Sequence, residues 1–235
     1  MNKETTTMIG NFKLPPRWHY EGRDGACCDN SCDKQEIDNE MKGPNDISNW
    51  VLKGKIMTGE YPAKDNQDDH QKLLSSLLDA NITLFVCLQL ETELENFKPY
   101  KQDLIDMANE RNLKIEFLHF PIEDGGVAAS IEELADFIDL LLNKLKDHNV
   151  YLHCWAGRGR TGIIAACLLG RLYQISGLEA CRRIQECYEQ RVIGFGESPE
   201  YHPQKMQVIN YLKYIKQRDE QQQKQQLRHW RQSIH

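Results

Sequence analysis

The spacing of apolar residues switches repeatedly between helical and strand periodicity, and the switches predict alternating helices and strands. In residues 68–78 four leucines recur at intervals of about one turn, whereas residues 82–90 form a continuous apolar run that is typical of a strand buried on both faces. Further helices are predicted over 100–112, 131–145, 163–173, 178–190 and 201–216, and further strands over 50–62, 115–120 and 150–153. Helices that alternate with buried strands indicate an α/β fold, with a central, mostly parallel sheet of four to five strands flanked by helices.

The pattern stops near both ends of the chain, which predicts one folded domain with two extensions. At 235 residues with 40% hydrophobic content, the chain is long enough for one core and too short for two full-sized enzyme domains. Residues 1–47 are polar and lack sustained periodicity, so we expect an irregular amino-terminal extension before a domain at 48–216. Residues 217–235 form a Gln-rich tail with little apolar surface.

Charge and cysteine content narrow the class of protein. The formal net charge of -6 argues against a general binder of nucleic acid or of anionic membranes, because such binders carry a basic excess. No apolar stretch approaches the ~18 residues that span a bilayer, so we expect no membrane span. Eight cysteines in a chain of this size fit reduced thiols better than a disulfide framework. We therefore expect a cytoplasmic protein, and the sequence leaves its oligomeric state open.

The predicted strand at 150–153 runs directly into the sequence HCWAGRGRTG, residues 153–162. A loop of this length can close into a ring of backbone N–H groups, which binds an anion because the amides and the start of the next helix present partial positive charge together. The same field favours a cysteine thiolate, and an arginine beside it can donate two parallel hydrogen bonds to a phosphoryl group. The prediction is a nucleophile, Cys154, a phosphoryl ligand, Arg160, and a phosphate-binding loop of Trp155, Ala156, Gly157, Arg158 and Gly159.

This loop resembles the signature HCxxGxxR(S/T)G of the cysteine-dependent protein tyrosine phosphatase superfamily, in particular its dual-specificity branch. Six specified positions would match by chance in such a chain with a probability on the order of 10⁻⁵. The resemblance extends over residues 48–216 and implies a phosphoric monoester hydrolase with a phosphocysteine intermediate and no metal or cofactor. It implies a phosphorylated protein substrate, carrying phosphotyrosine and also phosphoserine or phosphothreonine. Within the loop, it implies that Thr161 stabilises the departing sulfur and that His153 orders the backbone.

A leaving alcohol needs a proton, and residues 119–130, HFPIEDGGVAAS, follow a predicted strand with two carboxylates and a Gly-Gly pair. The resemblance to a P-I-x-D-G-G segment of the dual-specificity branch implies that Asp124 is the general acid. Glu123 is the alternative acid. The resemblance also implies that Gln204, in the sequence SPEYHPQ, positions the hydrolytic water, although an exposed helical glutamine would fit the residues equally well.

Other functions stay open at this point. Arg158 adds charge to the loop, as a phosphoinositide or other non-protein phosphatase would require, whereas Trp155 stands where similar lipid-directed enzymes carry a lysine. A non-catalytic phosphate-binding adaptor would keep the loop and lose the chemistry. Sulfur-transfer and arsenate-reducing folds also use a cysteine and an arginine six positions apart, but they lack the surrounding residues of this loop: His153, Gly157, Thr161 and Gly162.

Two groups of cysteines suggest further chemistry. Cys27, Cys28, Cys32 and His19 give three crowded sulfurs and one distant imidazole, which is a poor match to a closed four-ligand zinc site, so we predict no metal site. Cys87 lies on a predicted strand beside the strand that leads to Cys154. A reversible disulfide between them is conceivable, and ordinary core packing is the favoured interpretation.

Overall fold

The structure is a computed structural model that describes residues 8–9, 12–13 and 41–232. Its strands are β1 (Met8–Ile9), β2 (Phe12–Lys13), β3 (Ser48–Leu52), β4 (Ile56–Gly59), β5 (Leu84–Cys87), β6 (Glu116–His119) and β7 (Val150–His153). Its helices are α1 (Gln67–Asp79), α2 (Glu91–Leu94), α3 (Lys101–Glu110), α4 (Ile131–Lys144), α5 (Gly159–Tyr173), α6 (Gly177–Tyr188) and α7 (His202–Gln232). β1 and β2 form a separate antiparallel pair.

The central sheet has five strands in the order β3-β4-β7-β5-β6. β3 and β4 are antiparallel, and the other three pairs are parallel. This arrangement confirms the predicted α/β fold with a mostly parallel sheet flanked by helices. β7 lies at the centre, so the loop that follows it opens at the middle of the sheet's carboxyl edge, where open α/β sheets bind ligands.

Alternating side chains of the strands pack into two hydrophobic layers. Leu84 and Val86 face a layer built with α4 to α7, whereas Phe85 and Tyr151 face a layer built with α1 and α3. This alternation follows from the period of two along a strand. α5 is buried along most of its length, so the helix that follows the candidate loop is fixed inside the core.

Several elements differ in extent from their sequence predictions. α5 begins at Gly159, four residues before the predicted start at 163, because the glycine-rich loop turns directly into the helix. α7 continues to Gln232, past the apolar positions that end near residue 216. α2 has four residues, too short for a helical period to be read in the sequence. Met41 and Ile47 are buried, and the N–H of Trp50 donates to the carbonyl of Met41 at 2.7 Å.

The described ranges contain neither a single helix that could span a membrane nor a cluster of metal ligands. No single helix there has the length and apolarity to cross a membrane, and α5 with α6 satisfies that test only as a pair bent by 118°. Residues 41–232 and the two short strands contain no cluster of three potential metal ligands. His19 and the cysteines at 27, 28 and 32 lie outside the described residues.

Candidate active site

A pocket of about 280 Å³ opens above the loop between β7 and α5. It brings together residues that are up to 80 positions apart in the sequence, and eight of the predicted site residues line it. The lining residues are Asp124, Gly125, Cys154, Trp155, Ala156, Arg158, Gly159, Arg160, Glu200, Tyr201 and Gln204. Three other predicted residues, His153, Gly157 and Thr161, do not line the pocket.

Gly157 makes the tight return of the loop possible. Its backbone has φ +65°, in the left-handed region, and a Cβ built on it would lie 2.0 Å from the carbonyl oxygen of Gly59. A side chain of any size would therefore push the loop away from β4. The close approach of two backbones holds the loop against the sheet edge.

Arg160 is almost fully buried, with 1% of its surface exposed, and two carboxylates hold its guanidinium. Nη1 donates to both carboxylate oxygens of Glu93, at 2.7 and 3.0 Å, and to the carbonyl of Ile122 at 3.1 Å. Nη2 lies 2.8 Å from Oδ1 of Asp124, an ion pair whose angle does not meet hydrogen-bond geometry. Burial lowers the pKa of Arg160, but the hydrogen bonds that Arg160 donates to Glu93 and the neighbouring negative charges outweigh it and raise the pKa above its ordinary value.

The contact of Glu93 with Arg160 was not predicted from the sequence. Glu93 lies on α2, which follows the carboxyl end of β5 by a few residues, and it approaches an arginine 67 positions later. The available signal was the acidic stretch ETEL directly after a buried strand that neighbours β7. Because the carboxyl ends of adjacent parallel strands meet at one edge, an acidic residue there can reach the same site.

The two candidate acids differ in position. Asp124 lines the pocket and contacts Arg160, and its side chain is 63% exposed. Glu123 is exposed and is not among the lining residues. Its carbonyl accepts the N–H of Gly126, which closes the turn at the predicted Gly-Gly pair.

Gln204 is buried, not an exposed residue of a solvated helix. Its side-chain oxygen accepts the N–H groups of Glu200 and Tyr201, both at 3.1 Å, and its nitrogen donates to the carbonyl of Gly126 at 3.1 Å. These bonds tie α7 to the segment that carries Asp124. The amide therefore has a fixed orientation at the wall of the pocket.

Arg158 is paired, so its charge is already matched. Nη2 forms an ion pair with Glu200, and Nη1 donates to the carbonyl of Phe195 at 2.9 Å. The guanidinium also lies over the Phe195 ring, 5.2 Å from its centroid. The positive charge of Arg158 is therefore paired with Glu200, which lines the same pocket.

His153 is fully buried behind the loop, where one of its ring nitrogens, Nε2, lies 2.6 Å from the hydroxyl of Tyr100. The other, Nδ1, lies 3.4 Å from the carbonyl of Cys154. Burial lowers the pKa of His153 to about 3, so the ring is neutral at physiological pH. Thr161 is also buried, and its hydroxyl has no hydrogen-bond partner among the described residues.

The buried His153 should make the fold sensitive to acid. Its pKa falls from 6.5 to about 3 on folding, so between these pH values the unfolded chain binds a proton that the folded chain does not. Stability is therefore lost as pH falls below 6.5, by about 2 kcal/mol for this group at pH 5. Urea unfolding at pH 6.5 and pH 5 measures the difference. The difference in unfolding free energy between the two pH values should be smaller in a His153→Asn variant. An equal difference in variant and wild type would contradict the assignment of this acid sensitivity to His153.

The five cysteines of the described part are unpaired: Cys87, Cys154, Cys167, Cys181 and Cys187. Cys87 ends β5 in register with His153, the residue before Cys154. Burial raises the pKa of Cys87, so its thiol is protonated at neutral pH. Cys87 is buried, as the favoured interpretation of core packing expects, and a Cys87 to Cys154 disulfide stays the less favoured alternative.

A mostly parallel sheet whose central strand leads into a loop from a cysteine to a buried arginine is the arrangement of the cysteine-dependent phosphatases. The chain belongs to the family described as PTP-SAK, Swiss Army Knife protein, DSP-PTPase phosphatase domain, which matches residues 45–193. This match confirms the resemblance to the dual-specificity branch.

Two viral proteins are similar in sequence. The protein named Putative tyrosine phosphatase 067L, of Invertebrate iridescent virus 3, is 26% identical over 148 residues, which are 61% of this chain and 54% of the viral protein. Putative tyrosine phosphatase 197R, of Invertebrate iridescent virus 6, is 32% identical over 106 residues, 43% of this chain and 35% of that protein. The chain thus matches about half or less of the length of these relatives.

Solved structures share the fold at low sequence identity. PTPMT1 in complex with PI(5)P has a TM-score of 0.56 at 19% identity, covering 74% of this chain and 99% of that one. The human tyrosine phosphatase-like serine/threonine/tyrosine-interacting protein has a TM-score of 0.53 at 17% identity, covering 73% and 95%. Tk-PTP in its active form has a TM-score of 0.52 at 21% identity, covering 71% and 95%.

Proposed function

We propose that this protein is a phosphoric monoester hydrolase, a dual-specificity protein tyrosine phosphatase that works through a phosphocysteine intermediate. The observation that carries the proposal is the convergence of Cys154, Arg160 and Asp124 on one pocket, whose loop N–H groups have no acceptor within residues 41–232 and can therefore bind an anion. Buried cations and amides supply the charge stabilisation that the phosphoryl group needs. The catalytic domain is proposed to span residues 48–216.

In the first step, the Cys154 thiolate attacks phosphorus and the bond to the leaving oxygen breaks. Asp124 gives its proton to that oxygen, so the product leaves as an alcohol. In the second step, water attacks phosphorus, the P–S bond breaks, and the Asp124 carboxylate accepts the proton of the water. Thr161 donates to the sulfur as it departs, and Gln204 orients the water.

Arg160 has to exchange partners when phosphate binds. Its Nη2 faces Asp124 in the structure, and an incoming phosphoryl oxygen would compete for that group. Glu93 holds the other end of the guanidinium and is only 19% exposed at its side chain. We infer that Glu93 keeps the arginine in place while Asp124 moves to the leaving oxygen.

A phosphopeptide fits the rim of the pocket better than a polyanionic headgroup. Trp155 and Tyr201 line the pocket and are exposed, and Phe195 covers the adjacent Arg158. Aromatic surfaces favour contact with a tyrosine ring. The pairing of Arg158 with Glu200 leaves little net positive charge for a second phosphate.

The test is hydrolysis of p-nitrophenyl phosphate in the presence of a chelator, followed by kcat/KM for phosphotyrosyl, phosphoseryl and phosphothreonyl peptides and for phosphoinositides. We expect turnover in chelator and the highest kcat/KM for phosphotyrosyl peptides. A preference for phosphoinositides would establish the lipid alternative. No hydrolysis at stoichiometric enzyme would favour a phosphate-binding adaptor.

Asp124→Ala should lower kcat/KM, which reports the first step alone, by about 10²- to 10⁴-fold for phenyl phosphate, because phenoxide leaves poorly without a proton. The loss should be much smaller for p-nitrophenyl phosphate, whose leaving group is a weak base. Steady-state kinetics with both substrates measures the contrast.

Glu123→Ala is the matched control, since it removes the neighbouring carboxylate and leaves the pocket lining unchanged. It should retain the wild-type rate with both substrates. A large loss in this variant, with a normal rate in Asp124→Ala, would move the general acid to Glu123.

A further inference from the structure

The backbone of the phosphate-binding loop is held from the outside at four consecutive carbonyls. The carbonyl of Trp155 accepts the N–H of Tyr61 at 2.8 Å, and that of Arg158 accepts the N–H of Gly162 and the hydroxyl of Ser198, both at 2.9 Å. The two carbonyls between them belong to Ala156 and Gly157. Both accept hydrogen bonds from one side chain, Arg191, through Nη1 at 3.1 Å and Nη2 at 3.0 Å.

Fixing a carbonyl fixes the amide of the next residue. In a trans peptide unit the C=O and N–H point in opposite directions. The bonds from Arg191 therefore turn the N–H groups of Gly157 and Arg158 away from Arg191, towards the pocket side of the loop. These two N–H groups donate to no residue in the described ranges, which leaves them available to an oxyanion.

The Arg191 side chain is itself rigidly placed. It lies just beyond α6, is 4% exposed, and donates from Nε and Nη2 to Oδ1 of Asn49 at 3.1 and 2.8 Å. Asn49 also accepts the hydroxyl of Thr58 at 3.1 Å, which ties the guanidinium to β3 and β4. A planar guanidinium can contact two carbonyls and an amide oxygen at once, which the single ammonium of a lysine cannot reproduce.

We propose that Arg191 is a positioning residue that orients the amides of Gly157 and Arg158 and so sets the affinity of the loop for tetrahedral oxyanions. The effect on catalysis rests on the proposed function, whereas the effect on anion binding does not. Arg191 acts from behind the loop, does not line the pocket, and leaves the nucleophile and Arg160 untouched.

The test compares Arg191→Lys with wild type in three measurements: the dissociation constant of tungstate by calorimetry, kcat and KM for an aryl phosphate, and thermal unfolding. Arg183→Lys is the matched control, because Arg183 is a buried arginine of α6 that pairs with Glu179. Arg191→Lys should weaken tungstate binding by about 10- to 100-fold and lower kcat/KM in proportion, since loss of one oxyanion donor has effects of that order or larger. Arg183→Lys should shift only thermal unfolding.

Wild-type tungstate affinity in a folded Arg191→Lys variant would overturn the proposal, as would equal losses in the two lysine variants. If Arg191→Lys does not fold, Asn49→Ala tests the proposal instead. This variant keeps Arg191 and removes the Asn49 oxygen to which Arg191 donates. Asn49→Ala should weaken tungstate binding in the same direction, and unchanged affinity would refute the role of Arg191. Tungstate binding without turnover in the wild type would refute the proposed function and leave this test intact.

Discussion

Replacing Cys154 by serine should abolish turnover while leaving oxyanion binding in place. The serine hydroxyl is far less acidic than a thiol and is not ionised at neutral pH, so the loop would hold phosphate without a nucleophile. We expect kcat to fall by about 10⁴-fold or more, in the range that removal of an enzyme's nucleophile produces. Acid quenching during hydrolysis of a ³²P-labelled substrate should trap a phosphoprotein with the wild type and none with Cys154→Ser.

Two observations make the Cys154→Ser result specific. Tungstate should still bind the variant, since Arg160 and the loop amides remain. Cys167→Ser, at another buried cysteine of the core, should keep full phosphoenzyme formation. A wild-type rate or a trapped phosphoprotein in Cys154→Ser would show that another residue is the nucleophile.

Gly157→Ala should weaken phosphate binding by displacing the loop backbone, without changing any side chain that contacts the phosphate. The added Cβ would lie 2.0 Å from the carbonyl oxygen of Gly59, and the backbone has φ +65°, so the loop must move away from β4. The displaced amides would no longer converge on one anion, and we expect tungstate affinity and kcat/KM to fall by about 10²-fold or more. Calorimetry and steady-state kinetics measure both.

Gly54→Ala is the control that separates the steric clash with Gly59 from the strain of a left-handed backbone. Gly54 has a similar φ of +73°, but a Cβ there would meet nothing within 4 Å. This variant should lose about 1 to 2 kcal/mol of stability from the left-handed conformation and keep its affinity for tungstate. If both alanine variants bound tungstate like the wild type, the close approach of Gly157 to Gly59 would have no part in phosphate binding.

The sheet and the cysteine-to-arginine loop could be predicted because their signals are local. Residues 82–90 and 150–153 are apolar over whole strands, and the loop carries its glycines, cysteine and arginine within ten positions. The predicted α/β class follows from the alternation of such strands with segments of helical periodicity. The family match then supports the interpretation of the loop.

The residues that could not be predicted act across long stretches of sequence. Glu93 reaches Arg160 over 67 positions, and Arg191 reaches Asn49 over 142. Neither contact has a periodic pattern, and both depend on which strands are neighbours in the sheet. The extension of α7 could not be predicted for another reason: residues 217–226 are all polar, so no apolar face marks them as helical.

Because Arg160 pairs with two carboxylates, the binding of phosphate to Arg160 can be coupled to the release of Asp124. Glu93 is mostly enclosed, whereas Asp124 is 63% exposed and can swing outward when another anion takes its place. Phosphate arrival would therefore free the group that is proposed to protonate the product, at the moment when that group is needed. Sulfate at high concentration should compete for the same guanidinium, so we expect it to displace Asp124 and to inhibit hydrolysis as a competitor of the substrate.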